Sequence, residues 1–333
     1  MIRVGLDVTP LALTKAGVAR HIAGLLSGLE SKPDLELRRY SFGGHGRALV
    51  PARDLGWYLA ALPARAHRDH VDVLHCPSQR APARSRVPLV VTIHDLAILR
   101  HPETFNRWTR AYSKALLPRV VRAATRVIAV SEFTRRELLE LLDVPQDKVR
   151  VIPNAVGPPF EAEGDAERGD YVLAVSTLEP RKNLERLVAA FHRAELNGTR
   201  LLVTGGRGWG DVEPAGKDVQ WLGFVPDAEL ARLYRGARCV AYISAYEGFG
   251  LPVLEAMACG APVVAASTGP APEVSEGAAV LVDPFDDDAI AAGLVEAIDR
   301  ADELRERGLA RAREFDWKHV ADATVAVYRE IVA

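Results

Sequence analysis

Residues 246–255 read Y-E-G-F-G-L-P-V-L-E, with two acids, Glu247 and Glu255, eight positions apart. A carboxylate only accepts hydrogen bonds, which suits the hydroxyls of a sugar or a ribose. Between the acids, Gly248 and Gly250 permit tight or left-handed backbone. Pro252 suits the first position of a helix, where its missing N–H would be unpaired anyway. The N–H groups of such a glycine loop and helix start, with the positive end of the helix dipole, converge on a spot that fits an anion. Blander readings stand beside this: Glu255 as compensation of the helix dipole, Glu247 as an exposed loop acid. A second run, S-T-L-E-P-R-K-N (176–183), sets Arg181 and Lys182 side by side before a helix. An arginine fork and a lysine point charge there make either a phosphate site or a solvated basic pair. The third candidate is His94, followed by Asp95. Strand neighbours point to opposite faces, so these two form no base–orienter dyad unless the chain has already turned. His94 is otherwise a satisfied buried histidine, a reading that fits His75 better.

These residues need elements to hold them. The apolar run 238–244 reads as a buried strand feeding the glycine loop, and a helix over 253–259 stops at Gly260. Strands over 171–175 and 89–94 bring Arg181-Lys182 and His94 to carboxyl ends, where open α/β sheets hold their ligands. At the start, strand 2–6, a polar loop 7–16 and a helix 18–29 opened by Gly17 repeat that pattern. Gly17 either touches a phosphate or only starts the helix, with Lys15 and Arg20 as helpers or solvated charges. Strands at 35–40, 72–75, 126–130, 149–152, 200–204, 219–222, 262–265 and 279–282 continue the alternation. Helices fall at 132–142, 184–194, 227–234, 286–300, 302–313 and 317–331, and 43–46 is a turn. G-G-R-G-W-G (205–210) resembles a dinucleotide fingerprint only in part, since Pro214 and Gly216 break any helix after it; it reads as a loop.

A chain of 333 residues suits two domains, each with its own core. The stretch 157–169, rich in Pro, Gly and acids, is the natural linker. The fold class is therefore α/β with two doubly wound domains, 1–160 and 168–316, the segment 317–333 packing back on the first. The net charge of −2 hides an asymmetry: up to Asp165 there are 24 Lys+Arg against 17 Asp+Glu. A basic first half points to an anionic partner such as a lipid phosphate, a membrane surface or an acidic glycan, or to an evenly solvated surface. Within it, 106–125 is a basic amphipathic helix, kinked or restarted at Pro118, that either lies on an anionic membrane or is a plain surface helix. Cys76, Cys239 and Cys259 lack metal spacing and read as buried fillers in a reducing compartment. No apolar run approaches membrane-spanning length, and the start reads as a strand rather than a leader. A soluble, cytoplasmic protein is expected.

Taken together, E-x7-E at 247–255, T-L-E-P-R-K-N, T-I-H-D (92–95), V-S-E-F-T (130–134) and V-I-P-N-A (151–155) resemble the retaining GT-B glycosyltransferases of family four. The resemblance covers nearly the whole chain and leans to the mannosyltransferase-like branch. It implies two Rossmann-like domains facing each other across a cleft, the first for the acceptor and the second for the donor. By it, Glu255 would bind the nucleotide ribose and Glu247 would lie near the donor sugar. Backbone of Phe249, Gly250 and Leu251 would hold sugar and phosphate, Lys182 would neutralise the diphosphate, and His94 would sit at the reacting centre. Thr177 stands where many members carry an arginine, leaving Arg181 to supply that charge; Thr177 and Gly17 complete the donor-binding set. The resemblance further implies metal-independent hexosyl transfer with retention from GDP-mannose, or next a UDP-sugar, to a glycan or lipid-linked acceptor. No cofactor and no nucleic acid are expected, and any membrane contact would be peripheral, at the inner face through 106–125. The competing expectations are an inverting transferase with His94 as base, and a non-catalytic nucleotide-sugar-binding subunit.

Overall fold

The computed structural model describes residues 1–14, 17–44, 46–208 and 215–333. The expected contributions of Lys15, the end of the loop 7–16, part of the turn 43–46, the last two residues of G-G-R-G-W-G and the break at Pro214 lie outside those residues. In chain order the elements begin β1 (Ile2–Asp7), α1 (Thr9–Leu13), α2 (Gly17–Glu30) and β2 (Leu35–Tyr40). A π-helix, Ala52–Ala61, comes next, then α3 (Leu62–Arg68), β3 (Val73–Cys76), β4 (Leu89–Ile93) and α4 (Ala97–Arg100). The middle of the chain forms α5 (Arg107–Ala123), β5 (Arg126–Ala129), α6 (Glu132–Leu142), β6 (Val149–Val151), β7 (Tyr171–Val175), α7 (Leu184–Arg193), β8 (Arg200–Thr204) and β9 (Val219–Gly223). The chain ends with α8 (Asp227–Gly236), β10 (Cys239–Tyr242), α9 (Leu251–Ala258), β11 (Val263–Ala266), α10 (Ala271–Ser275), β12 (Val280–Val282), α11 (Asp287–Asp299), α12 (Ala301–Ala312) and α13 (Trp317–Val332).

Two compact units result: Met1–Ala155 with Trp317–Ala333, and Val156–Asp316. The first carries a parallel sheet in the order β2-β1-β3-β4-β5-β6, the second one in the order β12-β11-β10-β7-β8-β9. Parallel strands are covered on both faces, which is why β3, β4, β10 and β11 are buried at every position. Side-chain caps hold several helix starts. Asn106 accepts from Thr109 N at the start of α5 (2.9 Å), Ser131 from Thr134 N before α6 (2.9 Å), and Asp286 from Asp288 N before α11 (2.9 Å).

Several expectations are corrected. The segment 7–16 is not all loop: Pro10 at the second helical position starts α1. The helical stretch from 52 to 68 has no counterpart among the expected elements. Helix α5 is continuous through Pro118, so the alternative of a restart there is removed. Helix α9 begins at Leu251 rather than 253, because Gly250 at φ 97° closes the loop one residue before Leu251. The stretch 157–169 is no free linker, and the boundary falls at Ala155 rather than 160. Arg235 on α8 donates to the carbonyls of Asp165 (2.7 Å) and Glu161 (3.0 Å), and the Phe160 ring packs on Tyr234 at 6.0 Å.

The segment from 317 returns to the first unit. Trp317 and Ala321 fill the space over Gly24 and Gly28 of α2, where an added Cβ would come 2.1 Å from the Trp317 ring and 2.8 Å from the Ala321 methyl. Ion pairs from Glu330 to Arg126 and Arg150, and from Asp322 to Lys32, tie its outer face to the same unit.

Candidate active site

In the second unit the strand order reverses between β7 and β10. Such a switch point opens a crevice at the carboxyl ends of the two strands, where ligands of open α/β sheets bind. Both chemical clusters of the second unit emerge there. After β7 the chain makes a tight turn at Pro180–Lys182, and Asn183 in the left-handed region (φ 60°) leads into α7. After β10 comes the loop holding Glu247, and the two loops are joined by Ala245 N donating to the Arg181 carbonyl (2.8 Å).

Arg181, Lys182 and Glu247 meet. One Glu247 oxygen, Oε1, accepts from Arg181 Nη1 (3.2 Å) and from Lys182 Nζ. Arg181 also donates from Nη1 to the Tyr246 carbonyl (3.2 Å) and from Nε to Glu179 Oε2 (2.7 Å). Thr177 reaches the cluster through Glu179, donating from Oγ1 to Oε1 (2.7 Å). All four charged side chains are nearly covered, between 5% and 14% exposed, so their attraction is little screened. Burial pushes the Glu247 carboxyl up, but Lys182 and Arg181, with hydrogen bonds from Lys182 and Ser244, hold it below its ordinary value. The expected pair of cations is thus balanced by two glutamates. Glu179 is missing from the expected set because the bases of its motif, not its acid, suggest a phosphate site. Beneath Lys182 lies the Tyr242 ring, 5.8 Å from Nζ, and Tyr242, Ser244, Glu247, Thr268 and Ala271 line a small recess beside it.

The glycine loop ends at Gly250, whose left-handed backbone caps α9 without any side-chain cap. Among the described residues no acceptor meets the N–H of Phe249, Gly250 or Leu251. They are open donors at a helix start. Glu255 takes a different partner from Glu247: it is buried in α9 and accepts from Tyr234 OH of α8 (3.1 Å).

His94 lies in the first unit, just past β4. Its Nε2 donates to the Pro77 carbonyl (3.1 Å), which leaves Nδ1 as the accepting nitrogen of a neutral ring. Burial depresses its pKa, partly offset by the Pro77 carbonyl and Asp95. Asp95 does not orient it; Asp95 Oδ1 accepts from Ala97 N (3.0 Å) at the start of α4. His75 is the satisfied histidine anticipated, bonded to Tyr328 OH (2.7 Å) and Thr92 Oγ1 (2.9 Å). Packed against His94 are two residues outside the expected set, His21 and, through it, Asn154. Gly17 is the first residue of α2 and so does start that helix. Among the described residues, no group of three His, Cys, Asp or Glu side chains could hold a metal ion, and no helix is long and apolar enough to cross a membrane.

Residues 12–158 match the family model described as Glycosyltransferase Family 4, and residues 160–315 that described as Glycosyl transferases group 1. The chain is 33% identical to O-antigen chain mannosyltransferase B of Escherichia coli, over 95% of this chain and 93% of that protein. It is 32% identical to the MMP alpha-(1->4)-mannosyltransferase of Mycolicibacterium hassiacum, over 75% of this chain and 67% of that protein. Among solved structures, sucrose-phosphate synthase from Thermosynechococcus elongatus superimposes over 99% of both chains with a TM-score of 0.81 at 19% identity. Anabaena Alr3699/HepE in complex with UDP-glucose covers 99% of this chain and 100% of its own, with a TM-score of 0.76 at 19% identity. Two Rossmann-like units with this strand order, a glycine-capped helix beside an arginine–lysine pair, and relatives that match end to end have one common explanation: this chain is a glycosyltransferase with the GT-B fold and belongs to the family-four type.

Proposed function

We propose that the enzyme moves a hexosyl group, mannosyl in the first instance, from a nucleoside-diphosphate sugar to a glycan or lipid-linked acceptor, with retention of anomeric configuration and without a metal. GDP-mannose is the favoured donor and a UDP-sugar the next. The observation that carries this reading is the joined cluster of Arg181, Lys182 and Glu247 at the switch point of a sheet whose glycine-capped helix offers three open amides. The mannosyltransferase relatives support the sugar, and the UDP-glucose complex of a structural neighbour supports the donor class.

In the proposed reaction the bond between the anomeric carbon and the β-phosphate oxygen breaks, and the acceptor oxygen bonds to the same face of that carbon. The leaving phosphate oxygen takes the acceptor's proton. Negative charge grows on the diphosphate, where Arg181, Lys182 and the amides of Phe249, Gly250 and Leu251 stabilise it. Because both cations begin on Glu247, donor binding exchanges partners: the cations turn to phosphate and the carboxylate, kept ionised, accepts from sugar hydroxyls. Glu255 serves the ribose and His94 the acceptor side, with Thr177 and Gly17 in the donor set. The cellular setting proposed is the cytoplasm, with peripheral contact to an anionic membrane through 106–125.

The test is product stereochemistry. Nuclear magnetic resonance of the glycoside formed from GDP-α-mannose should show the α-anomer; a β-product removes the retaining mechanism and leaves His94 as a base. Purified enzyme that binds nucleotide sugars and transfers to no acceptor, nor to water, removes the catalytic reading altogether.

A further inference from the structure

His21 lies on α2 and is 3% exposed. Its Nδ1 stands 2.8 Å from Oδ1 of Asn154, so Nδ1 carries the proton and donates. Nε2 is then a bare acceptor, buried and without a partner among the described residues. A buried polar atom left unpaired is destabilising, a penalty that an apolar side chain of similar size would avoid. Packing alone therefore does not account for a histidine here.

Its surroundings do. The His21 ring stands edge-on to the His94 ring, with centroids 4.7 Å apart and planes at 81°. The Trp317 ring meets His21 at 5.9 Å and 66°. His94 is held at its own Nε2 by the Pro77 carbonyl. A flip of the His94 ring would put carbon where that carbonyl needs a proton, and a tilt would drive the ring against His21. Asn154 is itself 3% exposed and lies in V-I-P-N-A, just past the end of β6 at Val151 and outside the donor-side cluster. Its amide fixes which edge His21 presents.

We propose that His21, held by Asn154, is a positioning residue for His94, locking the ring with Nε2–H on Pro77 and Nδ1 as its accepting nitrogen. The inference rests on the reading of His94 as an acceptor-side residue. The experiment uses full-length enzyme with ¹⁵N-histidine, comparing wild type with Asn154→Ala, Asn154→Asp and His21→Phe after thermal melts confirm that each is folded. Expected for Asn154→Ala and His21→Phe are a mixed tautomer at His94 and kcat lower on the order of tenfold, with donor KM within about twofold. Asn154→Asp keeps an acceptor for His21 Nδ1–H and should recover most of the rate. Unchanged His94 nitrogen shifts in both Asn154→Ala and His21→Phe would overturn the proposal, as would changed shifts with kcat within about twofold of wild type when His94→Ala itself lowers kcat. Failure of the functional reading shows separately, as a His94→Ala enzyme that works at the wild-type rate. The nitrogen shifts alone then decide whether His21 fixes the ring.

Discussion

Lys182 and Glu247 share one hydrogen bond, yet losing one or the other is expected to leave different signatures. Lys182→Ala removes a stabiliser of the departing diphosphate and should lower turnover on the order of 100-fold. Glu247→Gln also lowers turnover, yet it frees both cations from a competing carboxylate and should tighten binding of GDP alone by roughly tenfold, read by calorimetry. Asp7 at the end of β1 gives a pH signature. It is fully buried and accepts from Thr9 N (3.2 Å), Thr9 Oγ1 (2.5 Å) and Tyr58 OH (3.1 Å). Burial outweighs these bonds and pushes its pKa from 3.8 up to about 6. A raised folded-state pKa means that the stabilising contribution is complete below 3.8 and is lost as pH rises through about 6. Urea melts should show wild type losing ground to Asp7→Asn over that window and no further change above it. The motif residues were legible because glycine, proline and paired charges have local consequences. His21 and Asn154 were not, because each meets a partner 133 residues away in the chain. Nor was Glu179, although its partners Thr177 and Arg181 are local, because the neighbouring bases draw the reading to phosphate.

At the level of elements, α2 and α13 touch through glycines. A methyl at Gly28 would lie 2.8 Å from the Trp317 carbonyl, and backbone cannot step aside as a side chain can. Gly28→Ala should cost about 1–3 kcal/mol, measured by chemical denaturation. Helix α5 presents Arg107, Arg110, Lys114, Arg119 and Arg122 on its exposed side, beside a Trp108 ring that is 39% exposed. If it meets anionic lipid, each cation near the surface is worth about 1 kcal/mol. Replacing Arg110, Lys114 and Arg119 by glutamine should then cut binding to phosphatidylglycerol vesicles by about 100-fold, while binding to neutral vesicles stays unchanged. Strands were legible from their apolar runs. The π-helix Ala52–Ala61 was not, since Arg53, Asp54 and Gly56 interrupt its pattern. Its reason is tertiary: buried Asp54 accepts from Arg53, Arg80 and the Trp108 indole.

Across the whole molecule, the first unit is assembled from both ends of the sequence and the second from the middle. A chain stopped after Asp316 should keep slow hydrogen exchange in β7 to β12 and lose it in β1 and β3, whose residues Val4 and Val73 share a core with Val320, Val325 and Tyr328. Alternating strands and helices made the two-unit plan readable in advance, and it is packing within the first unit that places the last helix there. The location of the boundary was not readable, because Pro, Gly and acids at 157–169 look unattached until Arg232 and Arg235 of α8 are seen to hold them. The interrupted layout also bears on how the protein is born. During synthesis Leu25 and Leu29 leave the ribosome long before Val320 and Tyr328 exist to cover them. At roughly 5–20 residues per second the intervening unit delays that cover by roughly ten to thirty seconds, an interval in which a nascent apolar face stands open to chaperones.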